Sequence, residues 1–310
     1  MTSTTHHAWR PRPEEPGAPA CRRVPPCAAV VAVLLALSAS LCWGFADFAG
    51  GLFSRRIPAV LVVLVLETGG LIGILLVLAV TREAAPGLET ILLAALAGVF
   101  GTAGLVCFFR GMAVGSMAVV APVFASGAAV VPAVFGLATG DSVSALVGVG
   151  ITLAALGILL ASLESEHEAE ASRQTRRAVG WALLGALGAA VFVIASDAAA
   201  DGSILWLLLV ARAAAVPFLA VGVVLTGAAR RPAGRDLLAI GAVGLLDLAA
   251  GALFGLATTE GALAVVAVLG AMYPVITATL ARTVLHERIR RIQVAGVCLA
   301  LLGVVFVAAG

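Results

Sequence analysis

The sequence predicts an all-α integral membrane protein of ten transmembrane helices, arranged as two inverted five-helix repeats. Three observations lead there: a composition unable to cover itself in water, ten apolar runs of membrane-spanning length, and one sequence offset that recurs across both halves. Of 310 residues, 62% are hydrophobic and 12% charged, with a mean hydropathy of +1.13, whereas a soluble domain carries about 25% charged residues. Such a chain has too little polar surface for a water-facing globule, which excludes a soluble enzyme and any disordered or fibrous class. A net charge of +2 offers nucleic acid no basic surface. All nineteen basic residues are arginine, a compositional bias that accompanies the abundance of Ala, Gly and Val. The cysteines Cys21, Cys27, Cys42, Cys107 and Cys298 show no CxxC or metal-ligand spacing, so neither a disulfide framework nor a zinc site is expected.

Taken in order, residues 1–27 are polar, with Pro and Arg scattered through them, and read as a disordered tail. The apolar run that follows leads into further spans and lacks a small-residue cleavage site, unlike a signal peptide. A bilayer core about 30 Å thick needs about 20 helical residues. That length places spans at 28–50, 57–80, 89–110, 117–139, 142–162, 178–200, 203–226, 236–257, 262–285 and 289–309. Most connections are short and marked by turn residues, as in Arg55-Arg56-Ile57-Pro58, Gly140-Asp141 and Arg231-Pro232. The one long polar connection, 163–177, separates a first repeat at 28–162 from a second at 178–310. Its acidic run at 164–170, with His167, reads as a solvated linker and not a metal site.

The repeat shows in the residues themselves. Gly115-Ser-Met-Ala-Val-Val-Ala121 recurs as Gly261-Ala-Leu-Ala-Val-Val-Ala267, an offset of 146. At that same offset Gly150 meets Gly296, Leu153 meets Leu299, Ala154 meets Ala300, Gly157 meets Gly303, and Asp141 meets Glu287. Five spans per repeat is odd, so the second copy enters the membrane inverted. In secondary transporters that plan puts the substrate site near the midplane between the halves. Ten spans place both termini on one side. With the termini inside, five arginines would lie inside and eleven outside, so the positive-inside rule predicts both termini outside.

Cys42-Trp43-Gly44 in the first span, Tyr273-Pro274-Val275 in the ninth, the turn His286-Glu287-Arg288 and the Gly-rich last span from Gln293 through Gly296 to Gly303 together resemble a drug/metabolite transporter of the EamA type. The first repeat is looser: Gly140-Asp141 stands where Gly-Glu is usual, and Glu67 where the family often has Arg, while the second repeat keeps Arg212. The resemblance covers about 28–309. It implies two EamA-like repeats around a central cavity, with the fifth helix of each at the side. It also implies transport of small organic solutes such as amino acids, sugars, nucleotide precursors or drugs. The expectation is a secondary carrier, proton-coupled or exchanging, in the cytoplasmic membrane of a prokaryote, exporting a small metabolite or drug. Its partners would be the solute and the lipid bilayer, with no nucleic acid and no cofactor.

Ionisable side chains at the centre of a bilayer cost about 2.5–3.5 kcal/mol each on insertion scales, so they face a cavity or a partner. Here they are Asp47, Glu67, Asp197, Arg212 and Asp247, with Arg110 near a helix end. Asp47 and Asp197 are counterparts at an offset of 150. They fit either proton or cation binding near the membrane face, or simple solvation at helix ends. Glu67 and Arg212 are counterparts at an offset of 145. They fit either an ion pair locking the repeats or an arginine that holds a substrate anion while Glu67 orients it. Asp247 is the strongest candidate for the cavity: it sits mid-span between Gly244 and Gly251, on one helical face with both, and no opposite charge at helical spacing neutralises it. Trp43, at i−4 from Asp47, fits a flat substrate or an interfacial anchor. Tyr273, the only tyrosine, offers a mid-span hydroxyl. Pro122, Pro132, Pro217 and Pro274 fall inside spans. A proline there frees a carbonyl and bends the helix, making Pro122 and especially Pro274 gating candidates. Gly148, Gly150, Gly157, Gly296 and Gly303 fit close helix packing or a homodimer contact.

No GxxxxGK[ST], HExxH or GxSxG motif and no channel filter occurs, so an ATP-driven pump, an integral-membrane enzyme and a channel are not expected. Two competing possibilities stay open. One is an uptake carrier or exchanger of the same fold. The other is a non-transporting structural or accessory protein, which predicts Asp247 and Arg212 permanently paired in a packed interior.

Overall fold

The computed structural model describes residues 26–81, 83–139, 144–162, 169–198, 203–228, 232–260, 263–287 and 290–309. Residues 1–25 of the tail expected at 1–27, Gly140, Asp141, residues 163–168 of the linker and Arg288 lie outside the described residues, and Pro26 and Cys27 open the first helix instead of closing a tail. Among the described residues eleven helices are present: α1 (Pro26–Ser54), α2 (Ala59–Thr81), α3 (Leu88–Val114), α4 (Met117–Thr139), α5 (Ala145–Ser162), α6 (Ala169–Ala198), α7 (Ile204–Leu225), α8 (Gly234–Glu260), α9 (Leu263–Gly270), α10 (Tyr273–Val284) and α11 (Arg291–Ala309). Among the described residues, nine segments are long and apolar enough to cross a membrane, and Ala145–Ala161 is a shorter apolar helix. Together they are the ten expected spans of an integral membrane protein. Because α6 starts at Ala169, the second part of the polar connection is helical.

The ninth span is broken, since α9 ends at Gly270 and α10 starts at Tyr273. Pro274 is the cause. It has no N–H for the carbonyl of Gly270, and its ring clashes with that carbonyl in a continuous helix. In apolar surroundings an unpaired carbonyl needs another donor, and Ser40 Oγ of α1 donates to Gly270 O at 3.3 Å. One turn on, Thr277 Oγ1 donates to the Gly44 carbonyl at 3.1 Å, so α1 holds both sides of the break. Pro122 acts differently: α4 runs through it unbroken, and Ser126 Oγ donates to the Pro122 carbonyl at 2.7 Å.

Helix pairing carries the two-fold relation that the repeat predicts. α3 packs along α6 as α8 packs along α1, α3 meets α7 as α8 meets α2, and α5 lies against α11. This last pair is cemented by glycines from both repeats. A Cβ on Gly157 would stand 2.3 Å from the Ala300 nitrogen, and its counterpart on Gly303 would stand 2.4 Å from the Ala154 nitrogen. Gly150 and Gly296 are equally tight, so these four pack helix on helix within the chain, whereas Gly148 faces open space.

The two ends of the bundle differ. The ends of α1, α3, α5, α7 and α10 lie at one face, which among the described residues carries most of the arginines; the start of α1 and the end of α11 lie at the opposite, terminus face. The large buried cluster lies wholly in the arginine-face half. It includes Phe48, Val62, Val63, Leu66, Phe108, Phe109, Met112, Met117, Val120 and Leu219. Toward the terminus face the buried cluster shrinks to Ala32, Ala36, Ala257 and Val266. Accordingly α1, α2 and α3 pack on one another, while their counterparts α6, α7 and α8 pack on one another far less.

Candidate functional site

The gap between α6, α7 and α8 holds a cavity of about 180 Å³, bounded also by α3 and by Glu67 of α2. Its walls are mostly apolar: Leu105, Phe124, Phe192 and Leu208, with Gly98, Gly101 and Thr102 supplying room on α3. Its charged lining is Glu67, Arg212 and Asp247.

Close backbone contacts position this triad. A Cβ on Gly244 would lie 2.0 Å from the Leu66 carbonyl, and one on Gly69 would lie 2.4 Å from the Gly241 carbonyl. Only glycine lets α2 and α8 approach so closely, and the contact brings Glu67 beside Asp247. Gly98 does the same between α3 and α7, where a Cβ would lie 2.1 Å from the Ala211 carbonyl. Gly70, one turn beyond Glu67, leaves space for the guanidinium; its Cβ would fall 2.5 Å from Arg212 Nη1. Gly251, by contrast, faces open space, so of the two glycines flanking Asp247 only Gly244 brings another helix close.

Arg212 Nη1 donates to Glu67 Oε2 at 2.7 Å and Nη2 donates to Asp247 Oδ2 at 2.6 Å. Arg212 and Glu67 are each 7% exposed, but the Asp247 side chain is 30% exposed. Glu67 and Arg212 therefore make a buried neutral pair, and Asp247 is the surplus carboxylate at the cavity edge. The partner that helical spacing along α8 does not supply comes from α7. Arg212 Nε is buried without a hydrogen-bond partner among the described residues.

Asp47 of α1 lies within electrostatic range of Asp247, and Tyr273 within range of Asp47. One turn before Asp47, Trp43 packs against Phe254 of α8 (ring centroids 5.5 Å apart) and edge-on to Tyr273 (6.3 Å). The structure thus gathers Asp47, Glu67, Arg212, Asp247, Trp43 and Tyr273 around the midplane, next to the break at Pro274. Glu67 and Asp247 hold the Arg212 guanidinium and Asp47 lies within range of Asp247, an excess of two formal negative charges. Asp197 lies in the last turn of α6, and its side chain falls outside the described residues. Pro122 is in the arginine-face half of α4, two residues before the cavity wall at Phe124.

Several site features are silent in the sequence. Phe124, Phe192, Leu208 and Phe254 are ordinary apolar residues of apolar spans, and nothing marks them as walls. Gly70 had a usable signal, because it lies three residues after a buried acid, on the same helical face.

The EamA-like transporter family model matches residues 30–163 and 176–309, one match for each half. No curated protein matches the sequence. A solved crystal structure of a protein is similar in fold over 90% of this chain and 96% of its own, with 16% sequence identity and a TM-score of 0.59.

Proposed function

The chain belongs to the EamA-like transporter family, which makes it a multi-pass membrane transporter of small solutes, and on that premise we propose that it is a proton-coupled secondary carrier working by alternating access. One observation carries this: a cavity edged by a surplus, half-buried carboxylate, lying between the repeats and toward one end of a two-fold-related bundle. A carrier of this plan has two states related by exchange of the repeats' conformations. In the state seen, α6, α7 and α8 are spread and the terminus half is loose, while α1, α2 and α3 are closed and the arginine half is dense. By the arginine distribution this state faces outward. In the opposite state α6–α8 close and α1–α3 part.

Asp247 is the residue we assign to the coupled proton. It is the more exposed of Arg212's two acids, so a solute entering the cavity reaches it before Glu67. Asp47 shares its surroundings, and the two-charge excess favours a proton, or a cationic group on the solute, at this place. Thr102, Phe124 and Phe192 form the wall against the body of the solute. The family resemblance favours export and the cytoplasmic membrane of a prokaryote.

The rival possibility, a static triad in a structural protein, draws support from the pairing of Asp247 with Arg212. Against it stand the cavity and the exposure of Asp247, which a packed interior would lack. Counterflow in proteoliposomes decides between them, with amino acids, sugars and cationic dyes as the panel. A carrier exchanges at least one of these and loses proton-driven accumulation in Asp247→Asn while keeping its fold. If no member of the panel moves, and Asp247→Asn only lowers stability, the static triad is correct.

A further inference from the structure

We infer that Glu287 is the latch that closes the arginine face while the cavity is open at the terminus face; this rests on the two-state carrier just proposed. Glu287 sits in the turn between α10 and α11, inside the motif His286-Glu287-Arg288, and takes no part in the cavity. Its carboxylate joins three separate segments. Oε1 accepts from Arg55 Nη2 of the α1–α2 connection at 2.5 Å. Oε2 accepts from Ser116 Oγ at 2.8 Å and from the backbone N–H of Ala118 at 3.2 Å, both at the start of α4. A carboxylate placed there satisfies an otherwise unpaired amide of the first turn and meets the positive end of the helix. The Glu287 side chain is 11% exposed and that of Arg55 31% exposed, so the pair is shielded on the acid's side.

The turn is built to hold the acid in this place. His286 takes the left-handed conformation (φ 54°), which non-glycine residues seldom adopt. The Glu287 N–H reaches back to the Ala281 carbonyl at 3.4 Å. Because Arg55 and Ser116 belong to the first repeat and Glu287 to the second, the contact crosses the repeat interface at the end that the large buried cluster fills.

At the opposite end the corresponding positions carry other residue types. At the repeat offset, Glu287 corresponds to Asp141 and Ser116 to Ala262, which has no hydroxyl. The α6–α7 connection, which corresponds to the one carrying Arg55, contains Asp201 and no arginine. What ties the terminus face instead is Glu83, which accepts from Ser203 Oγ and, through its carbonyl, from Trp206 Nε1 at 3.3 Å. That contact joins the α2–α3 connection to α7, among the described residues through neutral donors. A charged latch of this kind at one end biases a two-state molecule toward the state in which that end is shut.

The test uses the full chain in detergent with its five native cysteines replaced by alanine and one reporter thiol added. Met112→Cys reports on the arginine-face core, where Met112 is fully buried, and Phe192→Cys reports on the cavity wall. The rate of reaction with a charged methanethiosulfonate is read at each. Glu287→Ala is expected to raise the rate at position 112 about tenfold, given the strength of hydrogen bonds to a charged group, and to lower the rate at position 192. Glu287→Gln, which keeps an acceptor for Ser116 and Ala118 but loses the charge, falls between. Adding Arg55→Ala to Glu287→Ala changes little further, because the two residues share one contact. If both rates rise, Glu287 contributes only stability and the latch is wrong; if neither changes, it is also wrong. Loss of reciprocity with Asp247-dependent flux intact overturns the latch alone. Reciprocal labelling without any solute flux overturns the carrier alone.

Discussion

At the arginine face, Phe108, Phe109, Met112 and Met117 interlock below 2% exposure, and an ion pair crosses between the repeats above them. Toward the terminus face the buried cluster is reduced to Ala32, Ala36, Ala257 and Val266, and a cavity opens between α6, α7 and α8, where the Arg212–Asp247 pair joins α7 to α8. Two-fold-related repeats in a static protein would give two similar ends. Unequal ends, on helices whose pairing otherwise obeys the two-fold, fit the two-state carrier proposed above. The charged triad lies at the boundary between the two regions.

The largest way to break that boundary is Arg212→Met, which leaves Glu67 and Asp247 facing each other uncompensated. Removing one partner of a buried pair costs ~3–5 kcal/mol, so a sharp fall in monodisperse yield and unfolding temperature is expected. A variant as stable as the parent would mean that the acids are already neutral. A smaller effect is expected from Gly244→Ala, whose new methyl would press on the Leu66 carbonyl and drive α2 from α8. Overpacking of this kind costs ~1–3 kcal/mol, read as a lower midpoint in thermal unfolding. Ser40→Ala tests the break beside the loose end. It deprives the Gly270 carbonyl of its donor, at a cost of ~1 kcal/mol, and hydrogen exchange over 263–272 should quicken; unchanged exchange would mean that the serine does not hold the break. The smallest effect belongs to Gly251→Ala, on the same helical face as Gly244 but in open space. It should shift the midpoint by no more than ~0.5 kcal/mol in either direction. If it proves as harmful as Gly244→Ala, the α2–α8 contact is not what sets the boundary.

Much of this was legible in the sequence because lipid simplifies it. Spans show as length and hydropathy, and the offset of 146 carried the two-fold relation through to the glycines of α5 and α11. The gathering of Asp47, Glu67, Arg212 and Asp247 follows from the cost of isolated charge in a bilayer, which drives such groups together. That Arg212 bridges both acids was not legible, since spacing along α8 says nothing about what α7 brings near. Gly244 and Gly251 are indistinguishable in sequence, and only the approach of α2 separates them. The broken ninth span was half legible: Pro274 marks it, but Pro122 is equally a proline and leaves α4 whole. Glu287 stood out only as part of a motif, because a loop acid carries no sign of which helix start it caps. The inequality of the two ends was not legible at all, since both repeats show the same apolar spans and nothing in them marks which end buries the larger side chains.

The central claim is that Asp247 is where solute and proton meet. Proton release from the purified protein on adding amino acids, sugars or cationic dyes tests it most directly, with wild type beside a folded Asp247→Asn. The account predicts that at least one solute displaces protons from the wild type and none from the variant. Equal release from both, or solute binding to wild type without any release, would contradict it.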